Sequence, residues 1–275
     1  MRIYDQHLHS YHSFDSKEDP EANVRAAIEK GLGGITFTEH FDTHPVEWPL
    51  CRYDYEAIRR MIDGLRRRYG DRLFIGHGIE ICYQPERMDF IVDYLAGRQF
   101  DLVILSVHWF EGRALHVREH WDGLDPGRAT ALYLQAVAEA ARTAGRLRRD
   151  GRRVFDVLGH LDLVKRYTHR FFHCFDVRSH AALVDEVLRA ALEADLIPEI
   201  NTSGARQSVG EAMPAEWVVR RYAELGGTCM SVGSDAHKAG DIGAGLPEAI
   251  ECLRRCGVGS LAVFRDRELM AQPLG

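Results

Sequence analysis

The sequence predicts an α/β fold, a parallel sheet closing into a barrel, and three observations carry that expectation. Short β-branched runs alternate with helix-period patterns along the chain, the signature of βα units. Histidines and carboxylates recur at the ends of the apolar runs, and a parallel barrel gathers its strand ends on one face. The 275 residues hold no sequence repeat, low-complexity tract or Pro-rich linker, so a single domain over 1–275 is expected.

The elements follow in order. An extended run over 3–8 opens the chain, and Pro20 suits the first turn of a helix over 20–30 that Gly31 ends. A strand over 34–38 leads to a helix over 55–69 closed by Gly70, then to a strand over 73–79 and a helix over 86–96. Strand 102–107, helix 128–148, strand 154–159, helix 181–194 and strand 197–201 continue the alternation. Pro214 and Gly226 bracket a helix over 214–225, and after strand 229–233 a helix over 247–256 ends at Gly257. Seven strands emerge; an eighth over 260–264 is weaker and is expected only to cover the barrel. The longest connections, 41–54, 110–127 and 165–179, are expected on the catalytic face.

Lys and Arg number 35 against 41 Asp and Glu, a formal charge of −6 that offers no global attraction to nucleic acid or anionic membrane. A small-molecule partner fits better. The first residues hold no apolar signal region and no run reaches membrane-spanning length, so a cytoplasmic protein is expected. The six cysteines form no C-x-x-C pair and read as buried reduced thiols. Oligomeric state has no signature here.

His7 and His9 stand two apart on an extended run and so share a face. Alone, such a pair is more often a surface or satisfied core pair than a metal site. Repetition changes the weighing: His40, Glu80, His108, His160 and Asp235 each close a strand pattern, with Asp15 and His237 close by. Imidazole and carboxylate suit divalent ions such as Zn, Mn or Fe, and six of seven strands making this choice points to one shared site. His77, three residues from Glu80, is expected on the opposite strand face. His12, His44, His116, His120, His169, His173 and His180 fall in loops or at helix starts, where a solvated histidine is the default.

The motifs His7-x-His9, Thr38-Glu39-His40, the Glu80 and His108 strand ends and Gly233-Ser234-Asp235-Ala236-His237 resemble those of the polymerase-and-histidinol-phosphatase (PHP) superfamily over nearly the whole chain. Within it, Asp5-x-His7-x-His9-Ser10-x-x-Ser13-x-Asp15 and Glu199-Ile200-Asn201-Thr202-Ser203-Gly204-x-Arg206 look like the histidinol-phosphate phosphatases of histidine biosynthesis. The resemblance implies a distorted (β/α)7 TIM-like barrel and two or three divalent ions. It assigns His7, His9, Glu80 and Asp235 to one ion, Glu80 with His108 and His160 to a second, and Asp15, His40 and His237 to a third.

Phosphate monoesters hydrolyse slowly in water, and their anionic oxygens repel an anionic nucleophile, so charge neutralisation is the main requirement. Metal ions meet it and lower the pKa of bound water to about 7. The expected mechanism is hydroxide attack on phosphorus at the Glu80-bridged ions, with Arg206, and next Arg166, holding phosphate oxygens as only a planar guanidinium can. Asp235 or His237 serves as acid for the leaving alkoxide. An acidic or aromatic lining is expected for the organic part of histidinol phosphate, with Glu39, Asp42, Trp109, Phe110 and Glu111 near strand ends. The alternatives are a PHP phosphoesterase acting on another phosphorylated metabolite, nucleotide or phosphotyrosine, and, from a different class, a non-catalytic metal-binding regulatory barrel. An amidohydrolase fits less well, because the bridge candidate is a glutamate rather than a mid-chain lysine.

Overall fold

The computed structural model describes residues 2–174 and 176–275. Strands β1 (Tyr4–Leu8), β2 (Gly34–Phe37), β3 (Phe74–Cys82), β4 (Leu102–Ser106), β5 (Val157–Leu158), β6 (Ile197–Asn201) and β7 (Cys229–Gly233) pair in chain order, all parallel. The two ends of this run meet. Leu8 and Ala236 form a parallel bridge, the Asp235 N–H donates to the His7 carbonyl at 2.7 Å, and the His9 N–H donates to the Ala236 carbonyl at 2.9 Å. The result is a distorted seven-stranded β/α barrel whose C-terminal strand ends share one rim.

The helices are α1 (Pro20–Glu29), α2 (Tyr55–Tyr69), α3 (Met88–Leu95), α4 (Pro126–Arg149), α5 (Val164–Phe172), α6 (Ala181–Glu193), α7 (Glu216–Glu224) and α8 (Leu246–Cys256). α2 shows how the sequence makes them. Tyr55, Ile58, Ile62 and Leu65 recur at three- and four-residue spacing and are buried. The Asp54 side chain accepts the Ala57 N–H at 3.0 Å, satisfying one free donor of the first turn. The apolar faces pack with the outward side chains of the strands into the main core.

The eighth strand is real and carries a partner that the sequence reading lacks. β8 (Ser260–Arg265) pairs in parallel with the start of β7 and turns into an antiparallel β9 (Glu268–Pro273). Phe264 and Ala262 join Leu102, Ile104, Val157 and Cys229 in a separate apolar cluster, which fills the barrel at the end opposite the rim. Gln6 fastens the cover: its amide donates to the Ala262 carbonyl at 2.6 Å, and its carbonyl accepts the Phe264 N–H at 2.7 Å.

Three further differences bear on the site. The third strand runs on to Cys82, so Glu80 lies inside it, because a two-residue strand at His40–Phe41 pairs with Glu80 and Ile81. Most of the connection expected over 165–179 is helical instead: α5 covers 164–172, and its apolar stripe is interrupted by Lys165, which is buried against Asp162 at 3.0 Å and Glu211 at 2.8 Å. α7 starts at Glu216 rather than Pro214, because Met213 is still paired with Asn201 and the Ala215 N–H donates to Asp162 at 3.1 Å. Cys51, Cys82, Cys229 and Cys256 are buried free thiols, whereas Cys252 is half-buried and Cys174 exposed. Among the described residues no helix is long and apolar enough to cross a membrane.

Candidate metal centre

The rim brings the expected side chains together. His7 on β1 and His9 just beyond it are wholly buried, and their Nε2 atoms lie 3.3 and 3.5 Å from Glu80 Oε2. His9 Nε2 is 3.3 Å from Asp235 Oδ1, and His40 Nδ1 is 3.0 Å from Glu80 Oε2. The other Glu80 oxygen, Oε1, lies 2.9 Å from His160 Nε2 and 3.3 Å from His108 Nε2, and accepts the Ser106 hydroxyl at 2.7 Å. One carboxylate thus faces His7, His9 and His40 with one oxygen, and His108 and His160 with the other. His237 Nε2 is 3.0 Å from Asp15 Oδ2, which is also 3.5 Å from His40 Nε2. Asp235 has a left-handed φ of 51°, which turns the chain after β7 so that Asp235 and His237 both reach the centre.

Whether these residues suit a divalent cation is answered by their atoms. His7 Nε2, His9 Nε2, His40 Nδ1 and Glu80 Oε2 are buried without a hydrogen-bond partner although they crowd together. Buried polar atoms of a folded protein are nearly always paired, so a converging unpaired set of imidazole nitrogens and a carboxylate oxygen is the donor set of a cation site. Groups that could hold an ion include His7–His9–Asp235, His7–Glu80–His160, His40–Glu80–His108 and His9–His40–His237.

The electrostatics show how strongly these groups act on one another: the carboxylates hold His7, His40 and His108 well above the usual imidazole range despite their burial. Burial opposes charge on Glu80, but the imidazoles of His7, His40 and His108 outweigh it and hold the carboxyl well below its usual range. Asp235 is likewise held low despite burial, by His9, His7 and His237, and Asp15 by His40 and His237. Burial, with His40 and His237 nearby, lowers His9 to about 3, so its imidazole is neutral and has an electron pair to give.

Beside this cluster opens a cavity of about 270 Å³. Arg166 on α5 lines it, its Nη2 donating to Ser203 Oγ at 2.6 Å and lying 3.7 Å from Asp235 Oδ2. Arg206 lines the adjoining groove with Arg166, Asp15 and His237; its Nη2 donates to the Ser234 carbonyl at 2.7 Å. The rest of the cavity wall includes Asp42, Glu47, His116, Tyr167, Leu163 and Phe14.

Of the residues expected around an organic substrate part, Asp42 is on that wall, with Oδ2 3.3 Å from His108 Nδ1. Glu39 is buried against Ser10 and Ser13, Trp109 and Phe110 are buried, and Glu111 and Trp109 border a different groove. Glu47 and His116 were not singled out by the sequence, since both sit in irregular loops where no periodicity marks a facing direction. His77 is on the opposite strand face as expected, against Tyr53, Tyr55 and Phe100.

Comparison with known proteins gives concordant findings. The family model described as "PHP domain" matches residues 5–203. A Deinococcus radiodurans protein named "Probable histidinol-phosphatase" is 30% identical over 97% of this chain and 98% of its own. The Lactococcus lactis "Histidinol-phosphatase" is 28% identical over 98% of this chain and 97% of its own. A crystal structure of histidinol phosphate phosphatase from Lactococcus lactis, complexed with zinc, L-histidinol and phosphate, overlays with a TM-score of 0.86 at 25% identity, covering 98% of this chain and 99% of that one.

Proposed function

Since the chain belongs to the PHP domain family, we propose that it is a metal-dependent phosphomonoesterase that hydrolyses L-histidinol phosphate to L-histidinol and phosphate, a step of histidine biosynthesis. The observation that carries this reading is the position of Glu80, whose two oxygens face separate imidazole sets beside a cavity that an arginine lines. The Lactococcus lactis neighbour, which holds zinc, histidinol and phosphate in its crystals, supports the choice of substrate.

In this reading His7, His9, Glu80 and Asp235 hold one divalent ion, Glu80, His108 and His160 a second, and Asp15, His40 and His237 a third, with Zn, Mn or Fe as the metal. Bound there, the ions supply an activated water and neutralise phosphoryl charge. The chain's own residues do the rest. Arg166, whose Nε is buried without a partner, binds the non-bridging oxygens from the cavity wall, and Arg206 adds charge from the adjoining groove. Asp235 or His237 passes a proton to the leaving oxygen; His237 Nδ1 faces the Asp235 backbone carbonyl at 3.1 Å, and its Nε2 faces Asp15. Asp42 and Glu47 give the cavity lining the carboxyl groups that an ammonium group requires. A cytoplasmic enzyme of one domain completes the proposal.

Steady-state kinetics on a phosphomonoester panel containing histidinol phosphate, with metal content measured on the same preparation, tests it. A kcat/KM for histidinol phosphate well above that for simple sugar phosphates is expected. Equal turnover of every ester would point to a different phosphorylated substrate, and no turnover after loading with Zn, Mn or Fe would point to a regulatory barrel.

A further inference from the structure

Behind His7 and His9 lie two carboxylates that the reaction itself does not use. Glu199 on β6 is buried, with Oε1 2.8 Å from His7 Nδ1 and Oε2 accepting the His160 N–H at 3.2 Å. Glu39 is also buried and accepts the Ser10 hydroxyl at 2.6 Å and the Ser13 hydroxyl at 2.5 Å. Ser13 Oγ in turn lies 3.1 Å from His9 Nδ1 and accepts the His40 N–H at 3.1 Å.

The hydrogen-bond partners orient both rings. Glu199 Oε1, an acceptor 2.8 Å away, takes its hydrogen bond from His7 Nδ1–H. A serine hydroxyl has one proton, and that of Ser13 goes to Glu39; the oxygen left facing His9 offers an electron pair, so His9 Nδ1 also carries a proton. With Nδ1 protonated, the pair each ring can give to a cation is on Nε2, the atom that in both residues is buried, without a hydrogen-bond partner and directed at Glu80 and Asp235. The opposite tautomer would place an N–H where a cation needs a donor pair.

We propose that Glu199, and Glu39 acting through Ser13, are positioning residues that hold His7 and His9 as Nδ1-protonated tautomers and thereby offer both Nε2 pairs to one divalent cation. An outer carboxylate of this kind also raises the basicity of the ring, and its loss typically weakens metal binding 10–100-fold, on the order of one to three kcal/mol. Gly233 belongs to the same device: a Cβ there would collide with both the His7 Cβ and Glu199 Oε1, so the pairing requires a glycine on β7. The inference rests on the metal centre read above.

The test uses Glu199→Gln, Glu199→Ala and Ser13→Ala in the full chain. Long-range ¹H–¹⁵N spectra of histidine-labelled, metal-free protein, followed up to alkaline pH where the rings are neutral, report each ring's tautomer, and competition with a chromophoric chelator reports zinc affinity. Glu199→Ala is expected to lose the Nδ1-protonated pattern of His7 and weaken zinc binding 10–100-fold. Glu199→Gln, whose amide oxygen still accepts, is expected to keep the tautomer and lose about tenfold through lower ring basicity. Ser13→Ala is expected to change His9 and leave the His7 tautomer as it is. Wild-type affinity in both Glu199→Gln and Ser13→Ala overturns the proposal, and the first of these is nearly isosteric, so the comparison survives if Glu199→Ala fails to fold. Should the unaltered protein itself fail to compete for zinc, the metal reading falls instead, which the wild-type titration shows separately.

Discussion

Glu80 and His160 lie 2.9 Å apart, Oε1 to Nε2, while the second oxygen of the same carboxylate is 3.0 Å from His40 Nδ1. A side chain so placed can join two cation sites, because β3 runs two residues beyond Glu80 and holds it between β4 and the short strand at His40. Glu80→Ala should remove a shared ligand and leave the facing imidazoles to repel one another when charged. Turnover is expected to fall by about 10³-fold or more, and metal content to drop. Full activity at wild-type metal content would remove the bridging role.

Arg166 lines both the cavity that contains Glu80 and the adjoining groove, whereas Arg206 lines the groove. A hydrogen bond to a charged group contributes about 1.5–3 kcal/mol, so Arg166→Ala should lower kcat/KM roughly 10–100-fold with metal content retained. Arg206→Ala should act mainly through KM. If metal analysis shows ions lost from either variant, that arginine supports the centre rather than the phosphate.

The legible part of this molecule was the chemistry whose spacing the backbone dictates. The pair His7 and His9 shares a face by strand alternation, and the residues closing successive strands must converge if the strands form a barrel. The same alternation placed His77 correctly among aromatic rings. What escaped depends on contacts between distant segments. α5 is masked by Lys165, which looks like a solvated cation until Asp162 and Glu211 are seen around it. β9 has exposed Leu269 and Met270 on an edge and gains its order from β8, not from a buried face of its own. Glu47 lies in a loop whose direction no periodic pattern reveals.

Glu47 is buried on the cavity wall, 3.5 Å from His116 Nε2, and burial, with Asp42 close by, raises its carboxyl to about 7. A substrate ammonium would offset that cost. Glu47→Gln should therefore raise KM for histidinol phosphate about tenfold, the scale of one charged hydrogen bond, and leave an uncharged aryl phosphate unaffected. Equal losses on both esters would show that Glu47 shapes the centre rather than choosing the substrate.

Removing the ions should reveal how much of the fold they support. A ligand that binds only the folded state at a hundredfold excess over its Kd adds about 2.7 kcal/mol, and a clustered donor set with unpaired buried nitrogens gains further from a bound cation. Dialysis against a strong chelator is expected to abolish turnover and lower Tm by several degrees, with both restored by Zn, Mn or Fe. An unchanged Tm, measured by calorimetry with metal content checked, would mean that the cluster is held by protein contacts alone.

His77 offers a pH prediction away from the catalytic rim. Burial, reinforced by nearby Arg66, depresses it to about 4, and its Nε2 lies 2.9 Å from the Tyr53 hydroxyl beneath a stack of aromatic rings. Unfolded, the ring titrates near 6.5, so between about pH 6.5 and 4 the unfolded chain binds the additional proton. Stability from the neutral ring is thus complete above that window and is lost as pH falls through it, by about 2 kcal/mol at pH 5. His77→Phe keeps a ring in the stack and cannot protonate. In metal-free protein, urea denaturation at pH 7 and pH 5 should show the wild type losing about 2 kcal/mol more than the variant over that interval. Parallel pH dependences in the two proteins would place the acid sensitivity elsewhere.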